Sequence, residues 1–229
     1  MQKTLFVLFL LIIFSSCSYN YKVCDCNSED EQVNIYSNIL NELVEKHFYN
    51  RYLGEDQQRI FMLEASNLKD TAKMRRETIQ LQNSIFQDTS KFCNIFLDTV
   101  YTPYFEPWIY YQNDTSRFAR EIRDLITNFS NDGQSVIDSL NSMQMNLSPN
   151  EFQLCTSKIL SVKELNNLEG NCAIGIVSFS KVFLDNTKTK GLLYYNFRCG
   201  GLCGKGELLV IEKKNNRWTI TKTIEAWIS

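Results

Sequence analysis

Two cysteines four residues apart, Cys199 and Cys203, have the spacing of a pair that could do chemistry. In a redox pair one thiolate attacks a disulfide and the second thiol resolves the mixed disulfide. Redox cysteines usually lie at the N-terminus of a helix, which lowers the pKa of the attacking thiol. Because Cys199 and Cys203 lie between two segments predicted to be strands, a structural disulfide is the favoured interpretation.

Glycines surround these cysteines in the sequence CGGLCGKG, residues 199–206. A glycine-rich loop that binds phosphate leads into a helix, whose first N–H groups point at the anion. Here a predicted strand follows the loop, so the sequence does not support a nucleotide site. The glycines are better explained as positions of unusual backbone conformation in a wide hairpin turn.

His47 is the only histidine of the chain. A Ser-His-Asp or Cys-His mechanism would therefore have to use it. It falls on the apolar stripe of a predicted helix, with no serine or aspartate motif nearby, and is interpreted as a packed side chain. The sequence thus predicts no catalytic residue, no metal site and no cofactor.

An aromatic segment at residues 101–111, YTPYFEPWIYY, is the candidate recognition surface. Tryptophan and tyrosine combine a large flat face with a polar group, so such a cluster can stack on sugar rings or bind a partner. Packing of the same segment into the core is the favoured alternative. The residues of this candidate surface are Tyr104, Phe105, Trp108, Tyr110 and Tyr111.

The first residues predict export and a lipid anchor. Lys3 precedes the apolar run Leu5–Phe14, which is too short to span a membrane but has the length of a signal-peptide core. The sequence Phe14-Ser15-Ser16-Cys17 resembles a bacterial lipobox, in which the cysteine is acylated and becomes the new N-terminus. The prediction is a signal peptide at 1–16, a lipid on Cys17 and a polar tether at 17–32. The alternative is an ordinary signal peptide that leaves Cys17 as a plain thiol.

The composition indicates a globular domain. Of 229 residues, 44% are hydrophobic and 22% are charged, and the net charge of −2 argues against nucleic-acid binding. Eight cysteines in an exported chain suggest disulfides. If Cys17 is acylated, an odd number remains, so at least one thiol is free or paired between chains.

The hydrophobic pattern changes along the chain. Residues 33–150 show mostly helical spacing, including a helix from Val33 to Phe48 and one long helical segment at 81–100, for which a break near residues 88–90 is the alternative. The clearest amphipathic helix runs from Phe118 to Phe129, with Asp114 or Thr115 as its N-cap.

Residues 170–229 alternate with a period of two and predict four antiparallel strands. The prediction is one α+β domain at 33–229, with the helical half packed on an antiparallel meander.

The turn Cys199–Gly206, the segment Phe179–Val182 and the ending Trp227-Ile228-Ser229 together resemble a group of exported bacterial proteins. Where that group has a Gly-Lys-Trp-like turn, this chain has Asn216-Arg217-Trp218. The resemblance covers roughly residues 155–229 and supports the fold prediction. It implies no particular activity.

These observations favour a non-catalytic binding module, lipid-anchored in the bacterial cell membrane or outer membrane, with an unknown protein or small-molecule partner. Two alternatives remain. One is a thiol-disulfide oxidoreductase that uses Cys199 and Cys203. The other is a small-ligand protein whose pocket lies between helices and sheet and is lined by the aromatic segment.

Overall fold

The computed structural model describes most of the chain from Ser28 onward. The described residues are 28–48, 92–101, 103–105, 115–142, 147–167 and 172–229, together with residues 76, 80, 84, 86 and 89. Cys17, the predicted signal peptide and three residues of the candidate recognition surface (Trp108, Tyr110 and Tyr111) lie outside them.

The predicted α+β class is confirmed. The α-helices of four or more consecutive described residues are α1 (Glu31–Lys46), α2 (Arg117–Phe129) and α3 (Gly133–Asn141), and short 3-10 helices cover Pro149–Glu151 and Val162–Asn167. The strands are β1 (Asn94–Leu97), β2 (Lys158–Ser161), β3 (Ala173–Phe179), β4 (Phe183–Leu184), β5 (Lys190–Gly200), β6 (Cys203–Lys214) and β7 (Arg217–Ile228). No helix of the described residues is both long and apolar enough to cross a membrane.

All seven strands form one mixed sheet in the order β2-β1-β3-β5-β6-β7, and β4 pairs with β5. The four strands predicted from the sequence correspond to β3, β5, β6 and β7, which are antiparallel neighbours. The sheet is larger than the predicted meander because β1 pairs in parallel with both β2 and β3.

The prediction of one helical segment over 81–100 is wrong at its end, where Asn94–Leu97 forms β1. All four residues of β1 are buried between two neighbouring strands. A strand buried on both faces shows a continuous apolar run, which periodicity does not distinguish from a buried helix. The N-cap of α2 is also different from the prediction, since the Ser116 hydroxyl accepts the N–H of Ala119 at 3.1 Å.

The sheet separates two hydrophobic cores. Helix α1 covers one face, and alternate residues of the long strands pack against it, among them Leu193, Tyr195, Leu209 and Ile211. Helices α2 and α3 cover the other face, where Leu192, Tyr194, Leu208 and Val210 point. Successive residues of β5 and β6 point to opposite faces of the sheet, and both faces are covered by a hydrophobic core. The sequences of these two strands are therefore almost continuously hydrophobic.

Helix α1 is buried along nearly its whole length, from Ile35 to Glu45. Its polar side chains bind the backbone of the segments that surround it. The Tyr36 hydroxyl donates to the carbonyl of Ser180 at 2.9 Å and accepts the N–H of Val182 at 3.2 Å. Burial raises the pKa of Tyr36, so this phenol stays protonated and keeps its donor.

Asn41 has the same role one turn further along α1. Its amide donates to the carbonyl of Gln153 at 2.9 Å and accepts the N–H of Cys155 at 2.8 Å. The Thr156 hydroxyl donates to the same amide oxygen at 3.0 Å. One buried side chain thereby positions the segment that leads into β2.

Two disulfides join described residues. Cys93 and Cys172 directly precede the parallel neighbours β1 and β3 and are bonded with their Cα atoms 4.8 Å apart. Cys199 and Cys203 are bonded across the end of the β5–β6 hairpin, which confirms that these two cysteines form a disulfide. Cys155 is also disulfide-bonded.

We expect Asn41→Ala to destabilise the protein by about 2–4 kcal/mol, because it leaves buried backbone groups without hydrogen-bond partners. Urea unfolding followed by circular dichroism measures this loss. Lys46→Ala, at the exposed end of the same helix, is the control and should cost less than about 0.5 kcal/mol. Equal effects of the two substitutions would contradict the role assigned to Asn41.

Candidate functional site

A row of polar side chains crosses the sheet on the face that carries α2 and α3. The strand register places Ser178 of β3 opposite Asn196 of β5, Asn196 opposite Gly206 of β6, and Gly206 opposite Trp227 of β7. Asp98 extends the row beyond β1, where its N–H donates to the carbonyl of Val177 at 2.9 Å. We call Asp98, Ser178, Asn196 and Trp227 the polar row.

The Trp227 ring lies over Gly206, which has no side chain at its position between Asn196 and Trp227. Its indole nitrogen donates to the Tyr194 hydroxyl at 3.0 Å and to the Asn196 amide oxygen at 3.3 Å. To reach them from β7 the ring has to cross β6 above Gly206, where a Cβ atom would lie 2.1 Å from the indole nitrogen. The far end of the ring lies near Gly204, one step along the same face. Gly206 is therefore needed for this position of the ring, whereas a Cβ atom at Gly204 would make a tight contact, 3.2 Å from the ring.

Arg198 lies beside the polar row, two residues beyond Asn196 on the same face of β5 and opposite Gly204. Its guanidinium is 5.6 Å from the centre of the Tyr101 ring, within the range of a cation–π interaction. One guanidinium nitrogen is 3.5 Å from a carboxylate oxygen of Asp98. The Arg198 side chain is 52% exposed, whereas the Asp98 side chain is mostly buried.

Asp98 holds both the turn after β1 and the Arg198 side chain in place. One carboxylate oxygen accepts the N–H groups of Val100 and Tyr101 at 3.1 and 3.0 Å, which holds the turn after β1. The other oxygen faces Arg198. The same carboxylate therefore positions both the Tyr101 ring and the cation that stacks on it.

The Asn196 amide has a defined orientation. Since the indole N–H of Trp227 bonds to its oxygen, its NH₂ group points the other way. The residue is 8% exposed, and within the described part of the chain its amide nitrogen has no hydrogen-bond partner. The Arg198 guanidinium likewise makes no hydrogen bond to a described residue. Two sets of donors therefore lie next to each other, and neither makes a hydrogen bond to a described residue, although Arg198 pairs with Asp98 at 3.5 Å.

The candidate recognition surface predicted from the aromatic segment is only partly described. Tyr104 is 57% exposed. Phe105 is 1% exposed and packs on Tyr194 with the ring centres 5.1 Å apart, so it belongs to the core. The neighbouring Tyr101, which is 48% exposed, instead contributes the aromatic face beside Arg198.

Cys199 and Cys203 form the tip of a hairpin rather than the start of a helix. They join the last residues of β5 to the first residue of β6, and Leu202 between them is exposed. The turn has no helix dipole to lower a thiol pKa. Its geometry is that of a crosslink that closes a long hairpin.

His47 lies with other ionisable groups on the opposite face of the sheet, at the end of α1. Burial and the nearby Lys205 ammonium lower the pKa of His47 below its usual value. Lys205 pairs with the buried Glu207 at 3.3 Å, and the Tyr195 hydroxyl donates to the same carboxylate. Burial and this carboxylate raise the pKa of Tyr195. The cluster is internally paired, and it supplies no nucleophile next to the imidazole.

An open groove of about 440 Å³ runs between α2 and β7. Its lining is largely charged, and two of the lining residues, Lys222 and Glu121, form an ion pair at 2.7 Å. Within the described residues no three metal-ligating side chains cluster. Neither feature offers the combination of free donors and aromatic faces found at the polar row.

Sequence reasoning did not find the polar row, because its members come from three strands and the turn after β1. A signal was present in two places. Asn196 and Arg198 interrupt the hydrophobic run of β5, and Gly204 and Gly206 recur two residues apart in β6. Glycines within a strand often mark the close approach of another group, which here is the Trp227 ring.

We expect Gly206→Ala to destabilise the protein by about 1–3 kcal/mol, since the new methyl group overlaps the indole of Trp227. Urea unfolding monitored by circular dichroism measures the change. Gly201→Ala is the matched control, because a Cβ atom there meets nothing within 4 Å. A Gly206→Ala variant as stable as the Gly201→Ala variant would show that the ring does not occupy this position.

The chemistry of this site has to be inferred from the contacts themselves. The chain matches no protein-family model, no curated protein and no solved structure.

Proposed function

We propose that this protein is an exported lipoprotein of the bacterial cell envelope that binds a ligand without chemical turnover. In this proposal Cys17 carries the lipid, residues 17–32 begin the mature chain, and the α+β domain presents the polar row as its binding surface. The lipobox-like sequence at Phe14–Cys17 and the preceding apolar run support the anchored location.

The observation that carries the binding role is the pair of adjacent donor groups, on Asn196 and Arg198, that make no hydrogen bond to a described residue. The Arg198 side chain is half exposed, so its donors are accessible from solvent. Polar groups that lie next to aromatic faces at an accessible surface are suited to contact a ligand. The tethered ring of Trp227 and the exposed ring of Tyr101 provide those faces.

The competing oxidoreductase function has weaker support. A nucleophilic cysteine needs a low thiol pKa, and the hairpin that holds Cys199 and Cys203 offers no helix N-terminus. A pocket between helices and sheet is also less favoured, since apolar side chains fill the interface of α2 and α3 with the sheet. Both alternatives therefore rank below a surface binding site.

The anchor is tested by metabolic labelling of the full chain with an alkyne-bearing fatty acid in a bacterial host. We expect the wild type to incorporate the label and to sediment with membranes, and Cys17→Ala to lose both properties, because the acyl chains are attached to that cysteine. Cys155→Ala, with the signal sequence intact, is the control and should remain labelled. An unlabelled wild-type chain would contradict lipidation.

The non-catalytic role is tested by redox titration of the folded protein with mass-spectrometric mapping of each disulfide. We expect Cys199–Cys203 to resist reduction until unfolding, with a potential below about −300 mV, as is typical of structural disulfides. Cys93–Cys172, which directly precedes two adjacent parallel strands, serves as the internal reference. Reversible exchange of Cys199–Cys203 in the folded state would favour the oxidoreductase.

A further inference from the structure

We infer that the polar row and Arg198 form a binding site for a neutral saccharide, with a pyranose ring stacked on Trp227. This inference rests on the proposed binding function and assigns the chemical class of the ligand. It follows from the donors, the aromatic faces, the charge and the dimensions of the site.

The donors require a ligand that is rich in acceptors. The NH₂ group of Asn196 and the guanidinium of Arg198 both lie on β5 and make no hydrogen bond to a described residue, and the half-exposed guanidinium is only ion-paired with Asp98. Sugar hydroxyls accept such hydrogen bonds and also donate them. The Asp98 carboxylate, 3.5 Å from Arg198, is an acceptor at the same place. An Arg–Asp pair can thus serve both hydrogen-bonding roles of adjacent hydroxyl groups.

The aromatic groups require a ligand with an apolar face. The indole of Trp227 is held by two hydrogen bonds and rests above Gly206 and Gly204, so it loses little freedom when a ligand stacks on it. Part of the Trp227 side chain is exposed. The Tyr101 ring presents a second face beside Arg198. A pyranose has C–H groups on its faces and hydroxyls at its edge, which matches this combination.

The charge at the site favours a neutral ligand over an anion. The positive charge of Arg198 is balanced by Asp98, and no other described cation pairs with that carboxylate. The nearest cation along β6, Lys205, belongs to the other face of the sheet and is paired with Glu207. A carboxylate or phosphate ligand would therefore meet the Asp98 charge without an additional cation to offset it.

The spacing suits one sugar ring. Asn196 and Arg198 are two residues apart on one strand, which separates their side-chain bases by about 7 Å. Trp227 lies above the adjacent strand, about 5 Å to the side. A ring placed on the indole is then within reach of both sets of donors from its edge.

The test uses the full-length chain in a detergent without a sugar head group, applied to an array of neutral and acidic glycans. Arg198→Gln removes the charged donors at an exposed position. Asn196→Asp keeps the oxygen that Trp227 bonds and removes the amide donors. Arg120→Gln, at an exposed arginine of α2, is the matched control. The same four proteins are applied to a peptide array.

We expect binding to neutral pyranose glycans, weakened about tenfold to a hundredfold by Arg198→Gln and by Asn196→Asp, and unchanged within about twofold by Arg120→Gln. The absence of glycan binding, a preference for acidic glycans, or binding by the Arg198→Gln and Asn196→Asp variants as tight as that of the wild type would overturn the inference. Peptide binding that both variants abolish would also overturn the saccharide assignment, while leaving the proposed binding function in place.

Discussion

The burial of α1 on all sides is the constraint on which the rest of this structure depends. A helix in that position cannot expose polar groups to water, so each polar side chain on it has to bind something nearby. Tyr36 binds the backbone at Ser180 and Val182, and Asn41 binds the segment that leads into β2. Glu42 accepts the N–H of Ile220, which partly covers the edge strand β7. The helix thereby sets the positions of segments that are far apart in sequence.

The start of α1 is tied to the sheet in the same way. Although burial opposes ionisation of Glu31, hydrogen bonds from Lys213 and Trp218 lower its pKa, and the carboxylate stays charged. The β6–β7 hairpin is thereby attached to the first turn of the helix. That hairpin also carries Gly206 and Trp227 on the other face. Helix α1 therefore holds one face of the strands whose opposite face carries the polar row.

The polar row lies next to the core that α2 and α3 form with the sheet. Their apolar partners on the sheet are Leu192, Tyr194, Leu208 and Val210. Asn196, Arg198, Gly206 and Gly204 continue the same two strands beyond that core. Side chains on this extension need not be apolar, so amide, guanidinium and indole groups can occupy it. The polar row therefore lies on the ends of long strands, at the edge of this core.

The sequence by itself determined the α+β class, α1, α2 and the four long antiparallel strands, because local hydrophobic periodicity reflects which side of an element is buried. It also indicated the Cys199–Cys203 crosslink, which spans one turn. Only the tertiary structure decided that Asn94–Leu97 is a strand, since a segment buried on both faces has no period of its own. The polar row likewise depended on strand register. Asp98, Asn196 and Trp227 meet through pairing between distant strands, and no spacing along the chain encodes which strands become neighbours.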